Sequence, residues 1–155
     1  MPRRLWLFKS DPETFGWDDL VRSPGRTTRW DGVRNYQARN MLRDEVREGD
    51  GVLVYHSRTD KAVVGTAEVV RGGYPDPTQF DRKSGGYDPD SDERDPRWVA
   101  VDLRAVEALP SPVTLELMRQ TPALRDLPLL RRGQRLSVLP VSARQWEAIL
   151  RLGSR

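Results

Sequence analysis

The sequence predicts a single α+β domain, a curved mixed sheet or small barrel with helices at its periphery. Three observations carry that expectation. The readable elements run strand, helix, strand, strand, strand, helix, strand, helix. Strands therefore outnumber long helices and do not alternate strictly with them, which argues against a doubly wound parallel sheet. The chain has 155 residues, the length of one ordinary domain, and can bury roughly two thirds of its unfolded surface. Five Trp, four Tyr and three Phe supply large rings for one core, and neither an internal repeat nor a linker divides the chain.

The elements follow in order. Arg3 to Phe8 reads as a strand buried on both faces, because Leu5 and Leu7 alternate with Trp6 and Phe8. Trp17 to Val21 makes one helical turn, stopped by Ser23-Pro24-Gly25. Residues 26–34 read as loop. Asn35 caps a helix from Tyr36 to about Arg47, with Ala38, Met41, Leu42 and Val46 on one face and Gly49 just past its end. Gly51 to Ser57 and Lys61 to Arg71 form a hairpin around Arg58-Thr59-Asp60. Residues 72–95 hold four glycines, three prolines and seven acidic residues, a long and mobile loop. Arg97 to Ala105 is a strand with one wet face, and Thr114 caps a short helix to Gln120. Pro128 interrupts residues 123–132, which stay unassigned. Arg135 to Val141 is a strand whose Pro140 places that end at a sheet edge or bulge. Ser142 and Gln145 then form a capping box for a helix that turns Trp146, Ile149 and Leu150 inward.

Composition removes several function classes. With no cysteine there are no disulfides, thiol nucleophiles or thiolate zinc sites. With one histidine, His56, a multi-histidine metal site is impossible. No run of about 18 apolar residues is present, and the N-terminal apolar patch is too short for a signal peptide, so the expectation is a cytoplasmic protein with no membrane partner. The net charge is +3, and it is uneven: residues 1–50 carry +1, residues 51–100 carry −2 and residues 101–155 carry +4. This mild basic bias permits nucleic-acid binding without requiring it.

Catalytic chemistry finds no support. His56 and Ser57 are neighbours in a strand and point to opposite faces, so they cannot form a nucleophile–base pair. Adjacent carboxylates such as Asp18-Asp19, Asp44-Glu45 and Asp92-Glu93 read as solvated surface, and no phosphate-binding glycine loop is present. The expectation is a non-enzyme with no metal and no cofactor.

The segment Trp30 to Asn40 (WDGVRNYQARN) stands out instead. It gathers Trp30, Gly32, Val33, Arg34, Asn35, Tyr36 and Arg39 at a loop-to-helix junction. A ring face, amides and a positive helix end suit recognition of an unpaired base. The same residues also fit an ordinary interior, with Trp30 a core ring, Asn35 a helix cap and both arginines solvated. Lys9-Ser10 and Tyr55-His56-Ser57 each end a strand, an arrangement that lines pocket mouths and also occurs at plain strand exits.

These segments resemble the EVE domain family. The resemblance rests on WLFKSDP (6–12), WDDL (17–20), WDGVRNYQARN (30–40), GDGVLVYHS (49–57), VVGTAEVV (63–70), YPDPTQFD (74–81), PRWVAVDL (96–103) and RLSVLPVS (135–142), nearly the whole chain. The family more often has Glu where Asp11 stands and Gln where Leu139 stands. The resemblance implies a PUA-like fold with no cofactor. EVE domains are similar to YTH domains, which hold a methylated adenine in an aromatic cage, and Trp30 falls where that family has a cage tryptophan. The implied function is a non-catalytic reader of a modified base in DNA or RNA. Lys9, Ser10, Trp30, Gly32, Val33, Asn35, Tyr36, Tyr55, His56, Ser57 and Tyr74 are its base-contact candidates; Arg34 and Arg39 are its phosphate contacts. A general RNA-binding module and an enzyme on a nucleotide-like metabolite are the competing readings.

Overall fold

A computed structural model describes residues 3–155. β1 (Leu5–Ser10) is an interior strand of the sheet, buried on both faces as its apolar run requires. It pairs in parallel with β3 (Gly51–His56) and antiparallel with β6 (Val138–Val141). β4 (Ala62–Pro75) returns antiparallel from β3, and β5 (Val99–Thr114) returns from β4. β2 (Thr27–Trp30) closes the order β2-β5-β4-β3-β1-β6. Register shifts along β4 and β5 bend this sheet.

The sheet is mixed and, among the described residues, its two edges do not pair, so the α+β expectation holds while a closed barrel does not form. The helix α2 (Tyr36–Asp44) packs against β4 and β5 on one side and β6 on the other, filling the opening. The shorter helices α1 (Trp17–Arg22) and α3 (Leu115–Arg119) and the C-terminal α4 (Ala143–Gly153) complete the domain. Among the described residues no helix is long and apolar enough to cross a membrane.

Several boundaries differ from those read in the sequence. Residues 26–34 are not all loop, since Thr27–Trp30 pairs with Arg104–Val101 as β2. Its four residues are too few for a period-2 signal. β5 continues nine residues past Ala105, through Pro110 and Pro112. There it pairs with β4 alone, β2 having ended opposite Arg104, so the missing proline N–H groups cost no ladder bonds on the free edge. Residues 72–75 belong to β4, and 77–80 form a 3₁₀ turn, so the acidic segment is partly regular. α2 stops at Asp44, and β6 starts only at Val138.

Two cores flank the sheet. Trp6, Phe8, Trp17, Trp30, Leu42 and Val69 share one, and Leu7, Leu53, Tyr55, Met118, Trp146 and Ile149 share the other. Each fully buried side chain of this size contributes about 1.5–3 kcal/mol against exposure. Gly65 is required by packing: a Cβ there would lie 2.5 Å from the Trp17 ring. The capping box at Ser142 and Gln145 forms as read, each side chain bonding the other's backbone N–H.

Candidate nucleic-acid interface

The parallel pairing of β1 and β3 sets Lys9 beside Tyr55 and Ser10 beside His56, so the two polar strand ends meet at one rim of the sheet. β2 delivers Trp30 to the same side. Between them opens a cavity of about 470 Å³, lined by Lys9, Ser10, Asp11, Thr14, Phe15, Thr28, Arg29, Trp30 and Asp31. Trp30 is only 8% exposed, yet it faces this space rather than a shell of aliphatic side chains alone. The Phe15 ring stands at 90° to the Trp30 ring, with centroids 6.3 Å apart, while Phe8 backs the indole at 5.9 Å. Two perpendicular rings make a corner that can hold a planar group against one face and a substituent against the other.

The polar groups of the cavity are held in place. The Ser10 hydroxyl donates to the Phe15 carbonyl, and the Ser57 hydroxyl donates to the Ser10 carbonyl at 3.2 Å. Asp31 pairs with Arg29 at 2.9 Å, and Asp11 with Arg58. Burial pulls the Lys9 ammonium below the usual lysine range, because its charge has lost part of its hydration.

Behind Trp30 the chain turns at Gly32, whose φ of +78° lies in the left-handed region that favours glycine. The Gly32 N–H donates to the fully buried carboxylate of Asp76 at 2.9 Å, as does Arg34 Nη1 at the same distance. Burial pushes the Asp76 carboxyl up, but hydrogen bonds from Thr78, Gly32 and Arg34 outweigh it and hold it below the usual carboxylate range. Gln79, also fully buried, ties the acidic segment to the core by donating to the carbonyls of Asp76 and Trp98 and accepting from Ser91 and Trp98 N–H. Trp30, its turn and the segment from 76 to 98 thus share one hydrogen-bonded frame.

The sequence candidates divide under this geometry. Lys9, Ser10 and Trp30 converge on the cavity. Val33 is a core residue, and Tyr55 packs in the opposite core. His56 Nε2 accepts from Trp17 N–H at 3.0 Å and its Nδ1 faces Asp60, so the ring anchors α1. Asn35 caps α2 by accepting from Ala38 N–H, and it borders a different cavity. Tyr36 is exposed and stacks on Trp98 at 5.0 Å. Tyr74 donates to Asp102 beneath the Arg71 guanidinium, and burial, with that hydrogen bond, raises its phenol well above the usual range.

Arg34 is not a free phosphate contact. Its five N–H donors already make five bonds: two to the Gly86 carbonyl and one each to Val33, Asp76 and Thr78. A phosphate would have to displace them. Arg39 bonds Asn40 and the Arg97 carbonyl and lies 5.0 Å over Tyr36, which leaves part of its fork open. Of the cavity walls, the sequence candidates include only Lys9, Ser10 and Trp30; Phe15, Thr28, Arg29 and Asp31 are among those missed. Recognising β2 would have found Thr28, which shares its inward face with the candidate Trp30.

The strand order and crossing helix define a PUA-like fold whose cavity opens at paired strand ends. Residues 4–152 match the EVE domain family, and the chain belongs to it. Mouse thymocyte nuclear protein 1 is 38% identical over 95% of this chain and 72% of its own length, and the human protein is 37% identical over the same shares. Among solved structures, a Pseudomonas syringae protein superposes with a TM-score of 0.90 at 43% identity, covering 96% of this chain and 99% of that one. Human THYN1 in complex with DNA containing 5-methylcytosine superposes with a TM-score of 0.89 at 34% identity, covering 98% of each chain.

Proposed function

We propose that this chain is a non-catalytic nucleic-acid reader that receives one modified base, extruded from its stack, in the cavity beside Trp30. The observation that carries the reading is the perpendicular pair of rings, Trp30 and Phe15, set at a polar rim. A base stacks on the indole while its alkyl substituent meets the phenyl ring. The exocyclic amine of a cytosine-type base donates to a carboxylate, Asp31 or Asp11, and Lys9 meets a ring acceptor or the adjoining phosphate. The human relative bound to 5-methylcytosine DNA supports cytosine methylated at C5 as the first base to test. Extrusion costs a few kcal/mol and stacking returns about 1–3, so discrimination rests on these hydrogen bonds as well as on the rings.

The test is a panel of DNA and RNA oligonucleotides, each with one modified or unmodified base, titrated at two salt concentrations. The expected result is preference for a modified base that falls 5- to 150-fold when the stacking face is removed by Trp30→Ala, with Trp30→Phe intermediate. Thermal melts establish that both variants fold. A folded Trp30→Ala protein with the parent's modified-to-unmodified ratio refutes the reading.

A further inference from the structure

A second and larger cavity, about 610 Å³, lies between α2 and the turn that precedes β6. Its floor is apolar, formed by Trp6, Met41, Leu136 and Leu139, and its walls carry the amides of Gln37 and Asn40. Arg131 and Arg135 stand on its rim. Both are exposed, and neither has a carboxylate within ion-pairing distance among the described residues, in contrast to Arg29, Arg34 and Arg43.

The turn that carries them is held. Gln134 N–H donates to the Arg131 carbonyl at 3.1 Å, its Nε2 to the Pro128 carbonyl at 3.3 Å, and its Oε1 accepts from Leu136 N–H at 3.2 Å. Gly133 takes the left-handed conformation between the two arginines, at φ +76°. Unpaired guanidiniums on a fixed turn lose less freedom on meeting an anion than arginines on a disordered tail. The acidic rim residue Glu45 already faces Arg4 at 3.2 Å. The groove's remaining charge is therefore positive, matching the +4 carried by residues 101–155.

The groove adjoins the base cavity. Lys9, a wall of that cavity, donates its backbone N–H at 2.9 Å to the carbonyl of Ser137, inside the segment that lines the groove. Asp31 and Asn35, four residues apart, border one site and the other. We propose that this groove is the track of the sugar–phosphate chain flanking the extruded base, with Arg131 and Arg135 as its phosphate contacts and Gln37 and Asn40 facing sugar or base edges. The proposal rests on the reader function above and supplies the phosphate contacts that Arg34 cannot.

The experiment compares the parent, R131Q/R135Q and the equal-charge control R119Q/R151Q, each binding a matched pair of modified and unmodified oligonucleotides across a salt series. Losing two phosphate contacts should flatten the slope of log K against log salt by about 1.8 on duplex or about 1.4 on single strands. Affinity for both oligonucleotides should fall alike, with the modified-to-unmodified ratio unchanged. The control should keep the parent's slope. If R131Q/R135Q and R119Q/R151Q give the same slope and affinity, the track lies elsewhere. If polyglutamate of matched charge displaces the oligonucleotide as well as a second oligonucleotide does, the groove is an acidic-peptide site and the proposal fails. A parent that binds with no preference for any modified base refutes the reader function instead, and the slope comparison still decides the groove.

Discussion

Replacing Asp76 by Asn tests whether the frame behind Trp30 is a coupled unit. Oδ2 of Asp76 accepts from Gly32 N–H and Arg34 Nη1, both at 2.9 Å. Oδ1 accepts from Thr78 N–H at 2.8 Å and from Thr78 Oγ1 at 2.6 Å. Asparagine keeps the shape but turns one acceptor into a donor, so two donors lose their partner, and Arg34 loses its counter-charge. Breaking a buried pair by removing one partner costs about 3–5 kcal/mol. The Arg34 side chain is 25% exposed, and solvent screening lowers the expectation to roughly 2–3 kcal/mol. At about 2–4 °C per kcal/mol for a domain of this length, the melting temperature should drop by ~4–12 °C. The assay is thermal unfolding by circular dichroism at neutral pH, with Asp44→Asn as the comparison. That residue pairs with Arg43 between two exposed side chains, where water screens the charges, so its loss should leave the melting temperature almost unchanged. A second arm combines Arg34→Met with Asp76→Leu. If the two groups are coupled, the double variant is more stable than the sum of the single losses predicts. An Asp76→Asn protein that melts within about 1 °C of the parent would refute the reasoning.

Other outcomes follow from the same structure. Gly65→Ala drives a methyl group into the Trp17 ring and should cost about 1–3 kcal/mol, read as a lowered urea midpoint. Ser142→Ala removes the capping hydroxyl of α4 and should cost about 1 kcal/mol, seen as a lower melting temperature with helical content retained. Asp76 has its folded pKa held down by Thr78, Gly32 and Arg34 against the effect of burial. Its contribution is therefore complete above the unfolded carboxylate value of about 3.9 and is lost as pH falls through the folded one. Urea midpoints measured down an acid series should decline there, and less steeply in the Asp76→Asn protein.

Much of this fold is legible in the sequence because its signals are local. Alternation in LWLF marks β1, the Asn35 cap marks the start of α2, and the Ser142–Gln145 box marks α4; each needs only neighbours within a few residues. Residue identity also excludes thiol and multi-histidine chemistry without any coordinates. The EVE family motifs add the expected fold, because WDGVRNYQARN and GDGVLVYHS are long and unusual in composition.

Tertiary structure decided what depends on distant partners. β2 exists because β5 supplies its ladder, and β5 tolerates Pro110 and Pro112 because β2 pairs only with residues 101–104 of that edge. Arg34 reads as a free cation in the chain, yet Asp76, more than forty residues away, turns it into a strut. Asn35 and Trp30 are five residues apart and look like one site, but the turn at Gly32 and the start of α2 send them to separate cavities. Phe15 has no local mark of function; it becomes a wall only because the loop after β1 folds back against the ring that β2 delivers. Residue type and spacing determine what each group can do. Which groups meet, and which of them still have donors free, is set by contacts far apart in sequence, which only the folded chain brings together.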